Sequence, residues 1–103
     1  MKKLFISQPM RGKTNEEIIA ERELAIKEAE SFLEEKVEVI DSFFKDAPVE
    51  VKPLWFLGKS LELLSTADIA YFAKGWKDAR GCRIEKLSCD EYGISYIINK
   101  EGK

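Results

Sequence analysis

Apolar positions along the chain change period several times, and the changes follow a regular order. Leu4-Phe5-Ile6 is a short continuous apolar run closed by Ser7-Gln8-Pro9, the pattern of a strand buried on both faces. A loop over residues 8–13 follows. Thr14-Asn15-Glu16-Glu17 spells a capping box, with Thr14 as N-cap and Glu17 reaching back. From there to about Glu35, Ile18, Ala25, Ala29 and Phe32 recur at helical spacing, with Ile26 and Leu33 beside them. Residues 37–41 alternate apolar with acidic and predict a second strand. Residues 42–53 are irregular. Residues 57–65 predict a second helix with Leu61 and Leu64 on its inner face, and 67–73 a third strand closed by Gly75. A third helix over 79–92 is stopped by Gly93, and 94–98 form a fourth strand. Strand and helix alternate throughout, which predicts one α/β domain over 1–103 with a largely parallel sheet and right-handed crossovers.

That architecture places ligands beyond the carboxyl ends of the strands, near the point where strand order reverses. Four segments meet there: 7–13, 41–44, 74–80 and whatever follows Ile98.

Composition narrows the chemistry. Apolar residues make up 45% and charged residues 35% of 103, an ordinary globular balance. The net charge is −2, which excludes a general binder of nucleic-acid polymers. Histidine is absent, so Ser-His and Cys-His catalysis and histidine metal sites are excluded; no metal and no cofactor is expected. Acid–base work falls to Asp, Glu, Lys, Tyr or Cys. Cys82 and Cys89 stand seven apart, too far along one helix for a disulfide and wrongly spaced for a CxxC motif. They read as small core residues in a reducing compartment. No apolar run is long enough for a membrane helix or a signal peptide, and a soluble cytoplasmic protein is expected.

The near-neutral total is unevenly spread. Residues 1–14 hold four bases and no acid, and 74–86 hold five bases against two acids, whereas 15–38 hold nine acids against three bases. The basic segments include the two loops at the expected ligand edge, which predicts an anion such as a phosphate there or, equally, solvated loop charge. Neither GxxxxGK[ST] nor GxGxxG occurs to name a nucleotide.

Gly81-Cys82-Arg83-Ile84-Glu85 opens the third helix, where a carboxylate in the first turn would be held ionised by the helix dipole. Cys82, Glu85 and Cys89 share one helix face. Taken together, Ile6-Ser7-Gln8-Pro9-Met10-Arg11-Gly12, Ala67-Asp68, Gly75-Trp76 and Arg80-Gly81-Cys82-Arg83-Ile84-Glu85 with Cys89 and Gly93 resemble the nucleoside 2-deoxyribosyltransferase-like family, closest to its small bacterial and phage members of unassigned function. The resemblance spans nearly the whole chain. It implies a three-layer flavodoxin-like (Rossmann-like) fold, a small four-stranded sheet with helices on both faces, and a nucleoside or nucleotide as ligand. It implies a transferase or hydrolase in which Glu85 is the nucleophile at the anomeric carbon, following the logic of retaining glycosidases. Ser60 and Ala79 stand where relatives carry acids, and Asp78 is the neighbouring candidate for the proton-handling role. Relatives are commonly homo-oligomers with sites completed by a neighbour.

Further candidates follow from position. Arg11 is placed to pair a 5′-phosphate and Trp76 to stack on a base or to cover the core. Ser7, Gln8, Pro9, Met10 and Gly12 line the first loop, and Gly75, Arg80 and Gly81 the third. Asp41 ends the second strand, where an acid can hold ribose hydroxyls. Asp68 starts its strand, away from that edge, and reads as a structural cap. The aromatic stretch over 43–56 predicts either a cover for the core or a subunit interface. The alternatives to an enzyme are a non-catalytic nucleotide-binding module and a small interaction module using that stretch.

Overall fold

The computed structural model describes residues 1–42 and 52–102. Its elements are β1 (Lys2–Ser7), α1 (Asn15–Leu33), β2 (Val37–Val39), α2 (Pro53–Leu64), β3 (Ile69–Phe72), α3 (Arg80–Tyr92) and β4 (Ser95–Ile98), with short 3₁₀ turns at Trp76–Asp78 and Lys100–Gly102. The four strands pair in parallel in the order β2-β1-β3-β4. This is the flavodoxin-like order, with its reversal between β1 and β3.

Right-handed crossovers fix which face each helix covers. The β1-to-β2 connection moves one way across the sheet and the two later ones move the other way. α1 therefore covers one face, and α2 with α3 the opposite one. Strand alternation sorts the core to match. Leu4, Ile6, Ile69 and Tyr71 face Ala25 and Ala29 of α1, whereas Phe5, Ala70 and Phe72 face Leu64, Cys82 and Cys89 of α2 and α3. Each fully buried Leu, Ile or Phe contributes about 1.5–3 kcal/mol. Phe32, expected on the inner face of α1, is 69% exposed; the small Ala25 and Ala29 let that helix lie close on the sheet instead.

The capping box forms as its spelling predicts: Thr14 Oγ1 accepts from Glu17 N at 3.1 Å, and Glu17 Oε1 accepts from Thr14 N at 3.2 Å. α1 ends on Glu34, a non-glycine residue at φ 57°. α2 begins four residues earlier than its apolar spacing predicts, because Pro53 occupies the first turn, where its missing N–H costs nothing. Asp68 accepts from Lys3 N at 2.7 Å and ties the start of β3 to β1, as its position implies. Both cysteines are buried and free. Among the described residues, no helix is long and apolar enough to cross a membrane. Of the aromatic stretch, 43–51 lie outside the described residues, and Pro53, Leu54, Trp55 and Phe56 form the first turn of α2.

Candidate active site at the end of the first strand

Ser7 is the last residue of β1, beside the point where strand order reverses. Its carbonyl accepts from Ala73 N at 2.9 Å, which holds it against the end of β3. Alternation turns its side chain toward the α2/α3 face. There Ser7 Oγ donates to Glu85 Oε1 at 2.6 Å. Glu85 is 7% exposed, and the Ser60 hydroxyl of α2 also hydrogen-bonds its carboxylate. Three elements thus converge on one carboxyl group.

Glu85 is the sixth residue of α3, beyond the first turn, where the helix dipole has little hold on it. Burial prevails and pushes its pKa up from the usual carboxylate range; the hydrogen bonds from Ser7 and Ser60 oppose that rise without cancelling it. The expectation that the helix dipole holds this carboxylate ionised is corrected in direction: burial raises its pKa, and no lowering by the dipole prevails. Ser7 also hydrogen-bonds Cys82, one turn before Glu85, and burial raises that thiol to about 11. A hydroxyl shared between a neutral thiol and a carboxyl commits its one proton to the carboxyl.

Two cavities flank Glu85. The larger, about 710 Å³, lies between the N-terminal ends of α2 and α3 and is lined in part by Lys52, Leu57, Arg80 and Gly81. The smaller, about 390 Å³, lies over the end of β1 and is lined in part by Ile6, Ser7, Gln8 and Met10. Phe56, Ser60 and Glu85 belong to both and form the partition. Among the described residues lining them, Glu85 is the only carboxylate.

Ser7, Gln8, Met10, Arg80 and Gly81 are therefore gathered at Glu85 as their sequence positions predict. The Gln8 side chain is already engaged, because its Nε2 donates to Ile18 O and Glu21 Oε1, both at 3.3 Å, and its Oε1 accepts from Arg22 at 3.1 Å. It braces the loop against α1. The other expected residues lie elsewhere. Asp78 is exposed on the 3₁₀ turn and lines neither cavity, so the proposed proton-handling partner does not face Glu85. Trp76 on that turn points inward, 8% exposed, with its ring 5.6 Å from Phe72; it covers the core rather than the ligand edge. Arg11 and Gly12 are exposed on a turn away from both cavities. Pro9 packs on Gly75, where a Cβ would sit 3.6 Å from Pro9 Cγ. Asp41 is exposed and acts on Arg22, whose charge it favours against the cost of burial.

Sequence reasoning missed Lys52, Phe56 and Leu57 as wall residues. Their signal was present: Phe56 and Ser60 are four apart, as are Pro53 and Leu57, so one face of α2 carries them once the helix starts at Pro53. The Ser60 hydroxyl, for which the sequence suggests no role of its own, hydrogen-bonds the Glu85 carboxylate. No family model, curated protein or solved structure matches the chain.

Proposed function

We propose that the chain binds a nucleoside or nucleotide at the carboxyl edge of its sheet and cleaves or transfers at the N-glycosidic bond, with Glu85 as nucleophile. The observation that carries this reading is one buried carboxylate, oriented by Ser7, at the partition between two cavities. A partition suits a bond to be broken, with sugar on one side and base on the other. One Glu85 oxygen accepts from Ser7, and an oxygen of the same group attacks the anomeric carbon. The bond to the base nitrogen breaks, and its electron pair leaves with the base, which takes a proton from water. Water, or the nitrogen of a second base, then attacks the anomeric carbon, releases Glu85 as carboxylate and gives up its proton to the hydroxide left by the first step. A raised pKa makes the ionised carboxylate a stronger nucleophile while lowering the fraction ionised at a given pH.

The test is incubation with 2′-deoxynucleosides and their 5′-monophosphates, with and without acceptor bases, following free base by chromatography. Base release that drops by orders of magnitude in Glu85→Gln supports the reading. No release above that control across the panel overturns it.

A second reading, a non-catalytic nucleotide-binding module, is favoured by one observation: the cavities offer no second carboxylate among the described residues. General acid–base help is worth about 10²–10⁴-fold, and a leaving base without it departs slowly. Stabilisation by nucleotides in a thermal-shift assay, with no base release, selects this reading. We place the protein in the cytoplasm, where its free thiols stay reduced, and as a homo-oligomer, because Leu54 (75% exposed) and Phe56 (38% exposed) leave apolar surface at the cavity mouth. Size-exclusion chromatography checks this: Leu54→Ser should shift an oligomer toward monomer, and a monomeric wild type refutes it.

A further inference from the structure

An open sheet ends in two edges, here β2 and β4, and the two are built differently. The β2 edge, Val37–Val39, carries Glu38 at its centre and Lys36 just before it. Charges so placed keep other strands from adding. The β4 edge, Ser95–Ile98, holds no charge and no proline, and no strand lies on its outer side among the described residues. Tyr96, Ile97 and Ile98 are all strand-favouring types.

The register fixes which backbone groups that edge offers. Asn99 N donates to Phe72 O at 2.9 Å, so Asn99 and, by alternation, Ile97 turn their backbone groups toward β3. Those of Tyr96 and Ile98 point outward. A second β4 running antiparallel satisfies them when Tyr96 of each copy lies opposite Ile98 of the other, each pair exchanging both of its hydrogen bonds. The two-fold axis then passes beside Ile97, and every opposed pair is apolar. A slip of two residues sets Ile97 against Ser95 or Asn99 instead.

Both faces of the sheet agree with that axis. On one face α1 packs chiefly on β1 and β2, and Ile97 beyond them stays half-buried. Two copies of Ile97 meeting at the axis cover each other. On the other face α3 lies beside the edge. Its Ser88 and Tyr92 form a cleft with Leu61 and Leu64 of α2, whereas Lys86 Nζ sits 4.5 Å from the centre of the Tyr96 ring of β4. The side of α3 away from α2 therefore carries Arg83, Lys86 and Asp90, at i, i+3 and i+7. The same axis runs the two α3 helices antiparallel, with the Arg83 end of each beside the Asp90 end of the other, cation to anion.

We infer that β4 is a self-pairing edge: β4 of a second copy adds to it, antiparallel about Ile97, and joins two four-stranded sheets into one. This surface is separate from the apolar cavity mouth at Leu54 and Phe56. No β4 residue lines either cavity, so each Glu85 site stays whole within its own chain, and the inference stands apart from the glycosidic reading.

An engineered cross-link tests the register. Residues opposed at such an axis are a non-hydrogen-bonded pair with Cα atoms about 4.5 Å apart, within reach of a disulfide. The native Cys82 and Cys89 are buried, so an introduced thiol reports alone. Ile97→Cys should give a covalent dimer on mild oxidation, whereas Tyr92→Cys, at a position 85% exposed on the α2 side of α3, should give none above background. Size-exclusion chromatography with light scattering should find a wild-type dimer or larger, and in Leu54→Ser a dimer that persists. Arg83→Glu sets acid against acid and should raise the dimer dissociation constant about tenfold; adding Asp90→Lys should recover most of that loss. Arg83 and Asp90 are exposed, so this exchange of charge tests the surface without touching the core, and circular dichroism checks that each variant is folded. A monomeric wild type overturns this inference and the oligomer at the cavity mouth together. An oligomer that does not cross-link through Ile97→Cys, or that falls to monomer in Leu54→Ser while Arg83→Glu leaves it intact, overturns this inference alone. Base release by the wild type tests the glycosidic reading independently of either result.

Discussion

At the scale of single residues, the site is a contest over one proton. Glu85 is buried, which favours its neutral form, and hydrogen-bonded by Ser7 and Ser60, which favours its charged form. Burial prevails. Ser7→Ala removes the 2.6 Å bond and leaves burial unopposed on that side, so the Glu85 pKa should move further up. Carbon-13 NMR titration of the labelled carboxyl reads this directly, and an unchanged or lowered value would contradict the bond's role. This residue-level picture was half legible in the sequence. Glu85 and Ser7 stand out from their setting, but the state of the carboxyl depends on depth, and one chain position does not encode depth. Placing Glu85 in the first turn predicts a depressed pKa; it is the sixth residue of α3 and buried, and burial reverses the sign. Asp78 fails as a partner of Glu85 for a related reason, and Trp76 takes the second of its two expected roles, the cover for the core. A 3₁₀ turn of three residues rotates neighbouring side chains to opposite sides, one outward and one into the core, and the sequence there carries no period to show it.

At the scale of elements, local chemistry was most legible where a motif closes on itself. The capping box of α1 is written in four consecutive residues and forms as written. Thr14→Ala should cost about 1 kcal/mol, seen as a Tm lower by about 4–8 °C for a domain of this size. The opposite end of the same helix invites the opposite change. Glu34 holds φ 57° with a side chain, a conformation that costs about 1–2 kcal/mol outside glycine and is partly offset by the entropy glycine loses on folding. Glu34→Gly should therefore raise stability by up to about 1 kcal/mol in urea unfolding, and a loss would show that the Glu34 side chain contributes more than its strain costs. Gly93 ends α3 at φ 72° in the same conformation without that cost, which is why that stop was legible and the end of α1 was not. The start of α2 was obscured because Trp55 and Phe56 favour strands by propensity; Pro53 at the first turn and packing against α3 prevail.

At the scale of the whole molecule, the alternation of periods was enough to specify a parallel sheet with helices on its faces, because right-handed crossovers leave few other arrangements. The same topology places a titrating group where its ionisation opposes folding. In the unfolded chain Glu85 ionises near the ordinary glutamate value of about 4.3. Folded, it holds its proton to a higher pH. Between those two values the native state binds more protons than the unfolded state, so stability falls as pH rises through that window and levels off above the folded value. Glu85→Gln keeps the shape and removes the titration. The Tm difference between the variant and wild type should therefore widen in favour of Gln as pH rises from about 4 through the folded value, and then stay constant. Taking the difference across pH cancels any fixed change in packing or hydrogen bonding that the substitution brings. A Tm difference that is flat with pH would mean that Glu85 ionises alike folded and unfolded, and that its burial is compensated by its hydroxyl partners. A widening difference would mean that the fold bears the cost of a carboxylate held at a functional position, the usual mark of a site kept for chemistry rather than for stability.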